Sequence, residues 1–212
     1  MMYRKFIYSF LLVSCLLMVP NKTEVEAATA TSPNKATFEI TPNEKGSLLV
    51  AADNLDFGEH TLMPVEIKEK SKDKSTITVT EFSGKSPGWT LKVKLSPFYH
   101  KKGETGAIKA QGVELFYPQV TPKTTTGGTA NQTPPIVLGN DDSFEDALKG
   151  TKVLDNEEAV KLAGAEVGKG YGEWKLEYDA ANRVQIKIPL GMQVGNYSAD
   201  LTYSAEDTPL VR

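Results

Sequence analysis

From Thr31 onward, apolar and polar positions alternate in short runs, and Gly, Pro, Asn or Asp separate one run from the next. Residues two apart on a strand project from the same face, so this alternation predicts strands with one buried and one wet face. The clearest case is the run 75–82, in which Ile77 and Val79 interleave with threonines. The predicted strands cover residues 36–40, 47–51, 63–68, 75–82, 89–95, 107–117, 152–154, 173–178, 183–188 and 197–203.

Three connecting segments interrupt this pattern. Residues 179–182 (Asp-Ala-Ala-Asn) lie between two strong runs and predict a hairpin connection. Residues 118–140 are rich in Pro, Thr and Gly with little apolar content, which predicts an exposed, mobile loop. Residues 156–165 are ambiguous, because the spacing of Val160 and Ala163 also fits one or two helical turns.

The fold class that follows is all-β. A run of short strands with turn signals on both sides of the loop, and no second composition, predicts a single antiparallel β-sandwich over about residues 34–206. We expect strands 89–95 and 197–203 to lie near one another in it, with the long flexible loop 118–140 outside. The mature domain is expected to comprise residues 28–212.

The N-terminus has the features of a secretory signal peptide. Residues 1–5 include Arg4 and Lys5, residues 6–19 are apolar, and the small residues Ala27 and Ala28 follow a polar stretch. Cleavage after Ala27 or Ala28 would remove about residues 1–27 and export the rest. An apolar run of this length is short for a bilayer, which needs about 20 residues, so no retained membrane anchor is expected.

Cys15 supports a competing interpretation. Residues 12–15 (Leu-Val-Ser-Cys) also fit a bacterial lipoprotein signal, in which Cys15 would be lipidated. The apolar run continues four residues beyond Cys15, which favours ordinary cleavage. The mature chain would then contain no cysteine, so its core and not disulfides must stabilise it.

Composition excludes several kinds of function. The formal charge is −3, and removing residues 1–27 (three basic and two acidic) makes it −4, so the chain lacks the basic footprint of a nucleic-acid-binding protein. The two histidines, His60 and His100, stand in no recognisable nucleophile or metalloprotease motif. No cofactor is predicted.

An acidic group follows the predicted loop. Asp141, Asp142, Glu145 and Asp146 offer oxygen ligands of the kind that Ca²⁺ prefers, but they lack the alternating spacing of a known calcium loop. A solvated charge run is therefore favoured, and no metal site is predicted. Paired carboxylates for glycosidic cleavage can be far apart in a sequence, and no pair is indicated.

The two tryptophans each begin a Trp-x-Leu tripeptide, Trp89-Thr90-Leu91 and Trp174-Lys175-Leu176. Such a pair projects from one face of a strand and either fills a core or forms a surface on which sugar rings stack. The core interpretation is favoured. We expect Leu91 and Leu176 to point inward and the tryptophan rings to be partly buried, so that they serve both packing and binding.

The order of these motifs resembles the WxL-domain surface proteins of low-GC Gram-positive bacteria. The proximal match is residues 88–93 (Gly-Trp-Thr-Leu-Lys-Val) followed by Phe98, and the distal match is residues 195–205, closed by Pro209. Between them, residues 170–176 and 184–189 follow the family's order, and residues 55–58 (Leu-Asp-Phe-Gly) also match. The distal motif departs from the family at Tyr203 and Ala205, where a second Trp-x-Leu is usual.

The resemblance implies a secreted, non-enzymatic protein that attaches non-covalently to peptidoglycan or an associated wall polymer. The sequence contains no Leu-Pro-x-Thr-Gly sorting signal, which agrees with retention by binding. Alternatives are a structural subunit that binds neighbouring surface proteins and a carbohydrate-active enzyme. The residues expected to bind the wall or to form the motif are Trp89, Leu91, Trp174, Leu176, Tyr197, Leu201, Tyr203 and Pro209.

Overall fold

Strands make up nearly all the regular structure in the computed structural model, which describes residues 48–211 except Lys102, Glu104, residues 125–132 and Asp146. The described residues belong to one unit, Ile40–Arg212. The predicted strand 36–40 and the predicted signal peptide lie outside them. The strands are β1 (Leu48–Ala52), β2 (Ile67–Lys70), β3 (Ser75–Glu81), β4 (Trp89–Leu95), β5 (Tyr99–His100), β6 (Ile108–Lys109), β7 (Glu114–Pro118), β8 (Lys123–Thr124), β9 (Ile136–Val137), β10 (Asp141–Asp142), β11 (Lys149–Leu154), β12 (Ala159–Ala165), β13 (Gly172–Tyr178), β14 (Gln185–Ile188), β15 (Tyr197–Ser198) and β16 (Leu201–Glu206).

The strands of the described residues form four antiparallel sheets. Sheet I has the order β1-β3-β13-β8, sheet II β10-β11-β7-β14-β2, sheet III β16-β4-β12-β9, and sheet IV β15-β5-β6. Sheet IV extends the β4 and β16 pair of sheet III beyond a kink. At this kink the Ser96 N–H donates to the Asp200 carbonyl at 2.9 Å, and the Asp200 N–H donates to Ser96 Oγ at 2.8 Å.

The core lies where sheets I, II and III bring their inner faces together. Strand β3 shows the expected period of two, since alternate residues from Ser75 to Glu81 are buried. The ring of Tyr117 on β7 meets the rings of Tyr178 on β13 and Tyr203 on β16, with centroids 5.6 and 6.5 Å apart. The predicted all-β antiparallel sandwich is confirmed.

The predicted closeness of strands 89–95 and 197–203 is also confirmed. Strand β16 pairs directly with β4, and β15 pairs with β5. The register sets Leu201 opposite Leu95 and Ala205 opposite Leu91. Two segments more than 100 residues apart in sequence therefore share one continuous ribbon.

The predicted loop 118–140 is wrong at its two ends. Strand β8 extends sheet I by pairing with β13, and β9 extends sheet III by pairing with β12. Val120 and Val137 are buried. These two strands are not recognisable in a polar stretch of sequence, because each is only two residues long. Each takes most of its stability from the strand with which it pairs. Residues 125–132, in the middle of the predicted loop, lie outside the described residues.

The helical alternative for residues 156–165 is wrong. Ala159–Ala165 is strand β12, paired with β4 on one side and β9 on the other. Its register shifts between Lys161 and Ala163, which breaks the alternation that would have identified it as a strand. The helix preference of Ala and Leu is weak, and pairing on both sides overrides it.

The predicted hairpin at residues 179–182 is wrong as well. Ala180–Asn182 forms a single 3-10 turn, but β13 and β14 lie in different sheets, so the connection carries the chain from sheet I to sheet II.

Two predicted strands are each divided in the structure. Run 107–117 breaks into β6 and β7 around Gly112, which has a φ of +80°, and run 197–203 breaks at the kink by Asp200.

Replacement of Trp89 tests how far this core depends on one side chain. The ring has 0% exposed surface, so we expect Trp89→Ala to lower the free energy of unfolding by about 3–5 kcal/mol. Urea unfolding measures the change. Thr202→Ala, at an exposed position on the neighbouring strand β16, is the control and should cost less than about 1 kcal/mol. Equal stability of the two variants would contradict a central role for Trp89.

Candidate functional site

Both Trp-x-Leu tripeptides belong to the core. Trp89 and Leu91 have 0% exposed surface, Trp174 has 2% and Leu176 has 1%. The inward orientation expected for the two leucines is confirmed, whereas the expectation that the tryptophan rings are only partly buried is wrong. The physical reason is that β4 and β13 are internal strands, each flanked by paired neighbours, and that their inward side chains belong to the core cluster.

The two indole N–H groups bond to adjacent backbone carbonyls. Trp89 Nε1 donates to the Gly170 carbonyl at 3.0 Å, and Trp174 Nε1 donates to the Tyr171 carbonyl at 3.1 Å. A Cβ on Gly170 would lie 2.3 Å from the Ala165 Cβ and 2.7 Å from Trp89 Nε1, and its φ is +73°. Any other residue at position 170 would therefore have a strained backbone, and its Cβ would clash with Ala165 and Trp89. The turn between β12 and β13 joins the two motifs.

The distal motif faces the same side as the proximal one. Tyr203 lies opposite Val93 and Ala205 opposite Leu91, so their side chains point toward the core. The Tyr203 hydroxyl is 2.8 Å from that of Tyr117, and either oxygen is able to donate. The neighbouring Tyr178 hydroxyl is buried and has no hydrogen-bond partner among the described residues.

An open groove of about 470 Å³ lies between β1 and β16. Each strand is the edge of its sheet, and within the described residues neither has a hydrogen-bonded strand on its outer side. Edge strands offer backbone N–H and C=O groups to a further chain or ligand. The β1/β16 groove is lined by Val50, residues 52–55, residues 199–201 and Tyr203.

The described lining of the β1/β16 groove is mostly polar and carries acidic groups. Asp53 and Asp200 contribute carboxylates, and no Lys or Arg is among the described residues that line the groove. Asp53 also holds the end of β3, because its Oδ2 accepts the Thr76 N–H at 2.9 Å and its own N–H donates to the Thr76 carbonyl at 3.1 Å. Burial raises the pKa of the Tyr203 hydroxyl, the Tyr117 hydrogen bond opposes this, and the Asp53 charge raises the pKa further. The charge of Asp53 therefore acts on Tyr203, which forms the floor of the groove.

The structure thus divides the predicted site residues. Leu201 and Tyr203 line the groove, while Trp89, Leu91, Trp174 and Leu176 lie in the core. The half-buried Tyr197 is on sheet IV, where its ring contacts that of His100 and its hydroxyl donates to the Gln193 carbonyl at 3.0 Å. Pro209 packs over Gly88, since its Cβ lies 2.9 Å from where a Gly88 Cβ would be.

Comparison with known families identifies the family of this chain. The family model described as WxL domain, surface cell wall-binding, matches residues 19–209, nearly the whole chain. The chain belongs to the WxL family. No curated protein and no solved structure gives a significant match.

Within the described residues, this WxL domain contains no helix long and apolar enough to cross a membrane. Nor do those residues contain a group of three or more His, Cys, Asp or Glu side chains placed to hold a metal ion. Asp141 and Asp142 bond within the protein: Asp141 Oδ2 accepts the Lys152 N–H at 3.0 Å, and Asp142 Oδ1 accepts from Lys149 Nζ at 2.7 Å. This Lys149 hydrogen bond lowers the pKa of Asp142.

Sequence reasoning missed most of the groove in this WxL domain. Val50, Asp53 and Asn54 read as the end of an ordinary strand and its turn, and Asp200 as part of one continuous strand. The available signal was the Leu-Asp-Phe-Gly stretch at residues 55–58, which begins with the groove residue Leu55. That stretch suggested the family but not a cavity, because the groove exists only after β1 and β16 are brought together.

The three core tyrosines make the stability of the WxL domain sensitive to alkaline pH. Burial raises the pKa of Tyr117, Tyr178 and Tyr203 above the ordinary value of about 10. Their contribution is fully present below pH 10 and is lost as the pH rises through the folded pKa values. We expect unfolding free energy to fall above pH 10 by up to about 1.4 kcal/mol per pH unit for each tyrosine.

Urea unfolding between pH 8 and pH 11 measures this slope. The double variant Tyr117→Phe/Tyr203→Phe removes the hydroxyl pair together and should show a shallower decline. The same slope in both proteins would contradict the assignment.

Proposed function

We propose that the mature domain is exported and attaches non-covalently to peptidoglycan through the β1/β16 groove. The observation that carries the proposal is the groove itself. It is open, has the size of a small-ligand site, lies between two strand edges, and contains Leu201 and Tyr203 from the distal motif. The family supplies the wall as the target.

The groove is a better candidate than the Trp-x-Leu tripeptides. A stacking platform needs an exposed aromatic face, and both tryptophan rings are buried with their N–H groups bonded to backbone. In this proposal the tryptophans act indirectly, by fixing the sheets between which the groove opens. The distal motif acts directly, because Tyr203 is part of the groove floor.

Binding without catalysis is the favoured form of this function. The family is a wall-binding one, and a carbohydrate-active enzyme is the second candidate because Asp53 and Asp200 line one groove. Glycosidases use such carboxylate pairs. Soluble fragments released from purified walls, and lost in Asp53→Asn, would support the enzyme.

Export is the remaining part of the proposal. It is supported by the basic, apolar and small-residue order of residues 1–28. A mature N-terminus at residue 28 or 29 in protein released from cells is the measurement that checks it. A lipidated N-terminus at Cys15 would contradict cleavage after Ala27 or Ala28, and full-length protein retained inside the cell would contradict export.

A blocking substitution tests the groove. The side chain of Ala52 faces the groove, whereas its neighbour Ala51 is exposed on the opposite face of β1. We expect Ala52→Arg to weaken co-sedimentation with purified peptidoglycan by about tenfold in affinity or more, a loss of about 1.4 kcal/mol. Ala51→Arg adds the same charge and should bind as the unmodified protein does.

The two variants should have the same melting temperature, because neither site is in the core. Equal binding of the two variants would indicate that peptidoglycan binds outside the groove. Absence of sedimentation by the unmodified protein, together with its capture by neighbouring surface proteins, would support a structural subunit instead.

A further inference from the structure

The outer face of sheet III, opposite the core, carries three lysines side by side. Lys92 and Lys94 alternate with buried residues of β4, so both side chains point away from the core. Lys161 on β12 is exposed and lies directly opposite Lys92. On the other side of β4, Ser204 lies opposite Lys92 and Thr202 opposite Lys94. These five residues form the lysine face: Lys92, Lys94, Lys161, Thr202 and Ser204.

Most of the positive charge on the lysine face is not neutralised within the described residues. Glu206 pairs with Lys92, since its two carboxylate oxygens accept from Lys92 Nζ at 2.8 and 2.7 Å. Among the described residues, Lys94 and Lys161 form no ion pair. The exposed acidic residues 157–158, which precede β12, pair with neither lysine. Two ammonium groups are therefore available to an anion.

This concentration of charge has a cost in the unbound protein. Like charges directly opposite each other on paired strands destabilise a sheet, and Lys92 and Lys161 are such a pair. The chain as a whole is acidic, with a formal charge of −3, so the lysine face is a local exception. A bound anion would relieve the repulsion between the lysines, which is the physical reason to expect a ligand here.

Hydroxyl groups lie beside the lysines in two neighbouring rows. Ser204 shares a row with Lys92, and Thr202 shares the next row with Lys94. Neither hydroxyl bonds to another of the described residues. Ammonium and hydroxyl groups both donate to charged oxygen atoms. Same-face residues on a strand are about 6.6–6.8 Å apart, so successive rows suit a chain that carries charges at regular intervals.

We propose that the lysine face binds a linear anionic polymer of the cell wall, with one negative charge in each repeat. A polyol phosphate and a polyuronic acid both have this chemistry. Binding would depend on charge and therefore weaken with added salt. The inference goes beyond attachment through the β1/β16 groove and does not require it.

Strand β16 separates the two binding surfaces. Leu201 and Tyr203 line the groove, whereas Thr202 and Ser204 between and beyond them belong to the opposite face. The groove carries the carboxylates of Asp53 and would repel an anionic polymer. Peptidoglycan and the polymer would thus occupy different faces of one strand, and binding to both would strengthen attachment through avidity.

A double variant tests the lysine face. Lys94→Gln/Lys161→Gln removes the two unpaired charges and leaves the bond between Lys92 and Glu206 in place. We expect its affinity for soluble poly(glycerol phosphate) to fall about tenfold or more, and its salt dependence to become shallower. Lys161→Gln alone, at an exposed position, should change both quantities in the same direction. Unchanged affinity in both variants would overturn the proposal.

A matched control removes the same charge elsewhere. Lys68→Gln/Lys109→Gln changes two exposed lysines, on β2 and β6, and should bind as the unmodified protein does. An equal loss in the two double variants would overturn the proposal, because net charge would then drive binding. A polyuronic acid of equal charge is the second probe. Binding of either polymer that depends on Lys94 and Lys161 supports the proposal and identifies the charged group, whereas binding of neither overturns it.

Walls with and without their anionic polymers separate this inference from the proposed function. On stripped peptidoglycan, Lys94→Gln/Lys161→Gln should bind as the unmodified protein does, and Ala52→Arg should bind weakly. With soluble polymer the order should be reversed, because Ala52 faces the groove. Loss of binding to stripped peptidoglycan in the lysine variant would overturn the separate role of the lysine face. Normal polymer binding without any binding to stripped peptidoglycan would contradict the proposed function alone.

Discussion

Two hydrogen bonds from tryptophan side chains hold this domain together at one turn. The indole N–H groups of Trp89 and Trp174 donate to the adjacent carbonyls of Gly170 and Tyr171. A buried indole N–H without a partner is costly, so each ring fits only where its carbonyl is supplied. The turn supplies both, and the Trp89 bond ties strand β4 of sheet III to the turn that leads into strand β13 of sheet I.

The position of the β1/β16 groove depends on this turn, although neither tryptophan lines the groove. Strand β4 pairs with β16, and β13 is linked through β3 to β1, so each tryptophan lies near the centre of a sheet whose edge forms one side of the groove. The Tyr117 and Tyr203 hydroxyl pair joins sheet II to the same floor. The repeated Trp-x-Leu tripeptide is thus understood as a core element that positions a surface formed by other residues.

Sequence reasoning predicted the strands in which apolar and polar residues alternate without interruption. Strand β4 was placed at its observed bounds, and β3 and β13 within one residue, because each presents a strict two-residue pattern against a deep core. The pairing of the proximal and distal segments also followed from the expectation that the two motifs cooperate. The three strands carry their signal within seven or so residues, whereas the pairing was inferred from the motifs.

The remaining features depend on contacts that no local pattern encodes. Strand β12 contains a register shift and helix-favouring alanines, and β8 and β9 are two residues long in a polar stretch. The full burial of Trp89 and Trp174 required knowledge of which strands are internal. The groove combines the ends of strands about 150 residues apart in sequence, so its acidic lining became visible only in the folded chain.

An NMR titration with soluble peptidoglycan fragments tests the central claim most directly. The two indole N–H signals report on the core, and the backbone amides of residues 50–55 and 199–203 report on the groove. We predict that the groove amides shift as fragments are added while both indole signals stay in place. Shifts of the indole signals with unchanged groove amides would contradict the account, because the tryptophans would then be the contact surface.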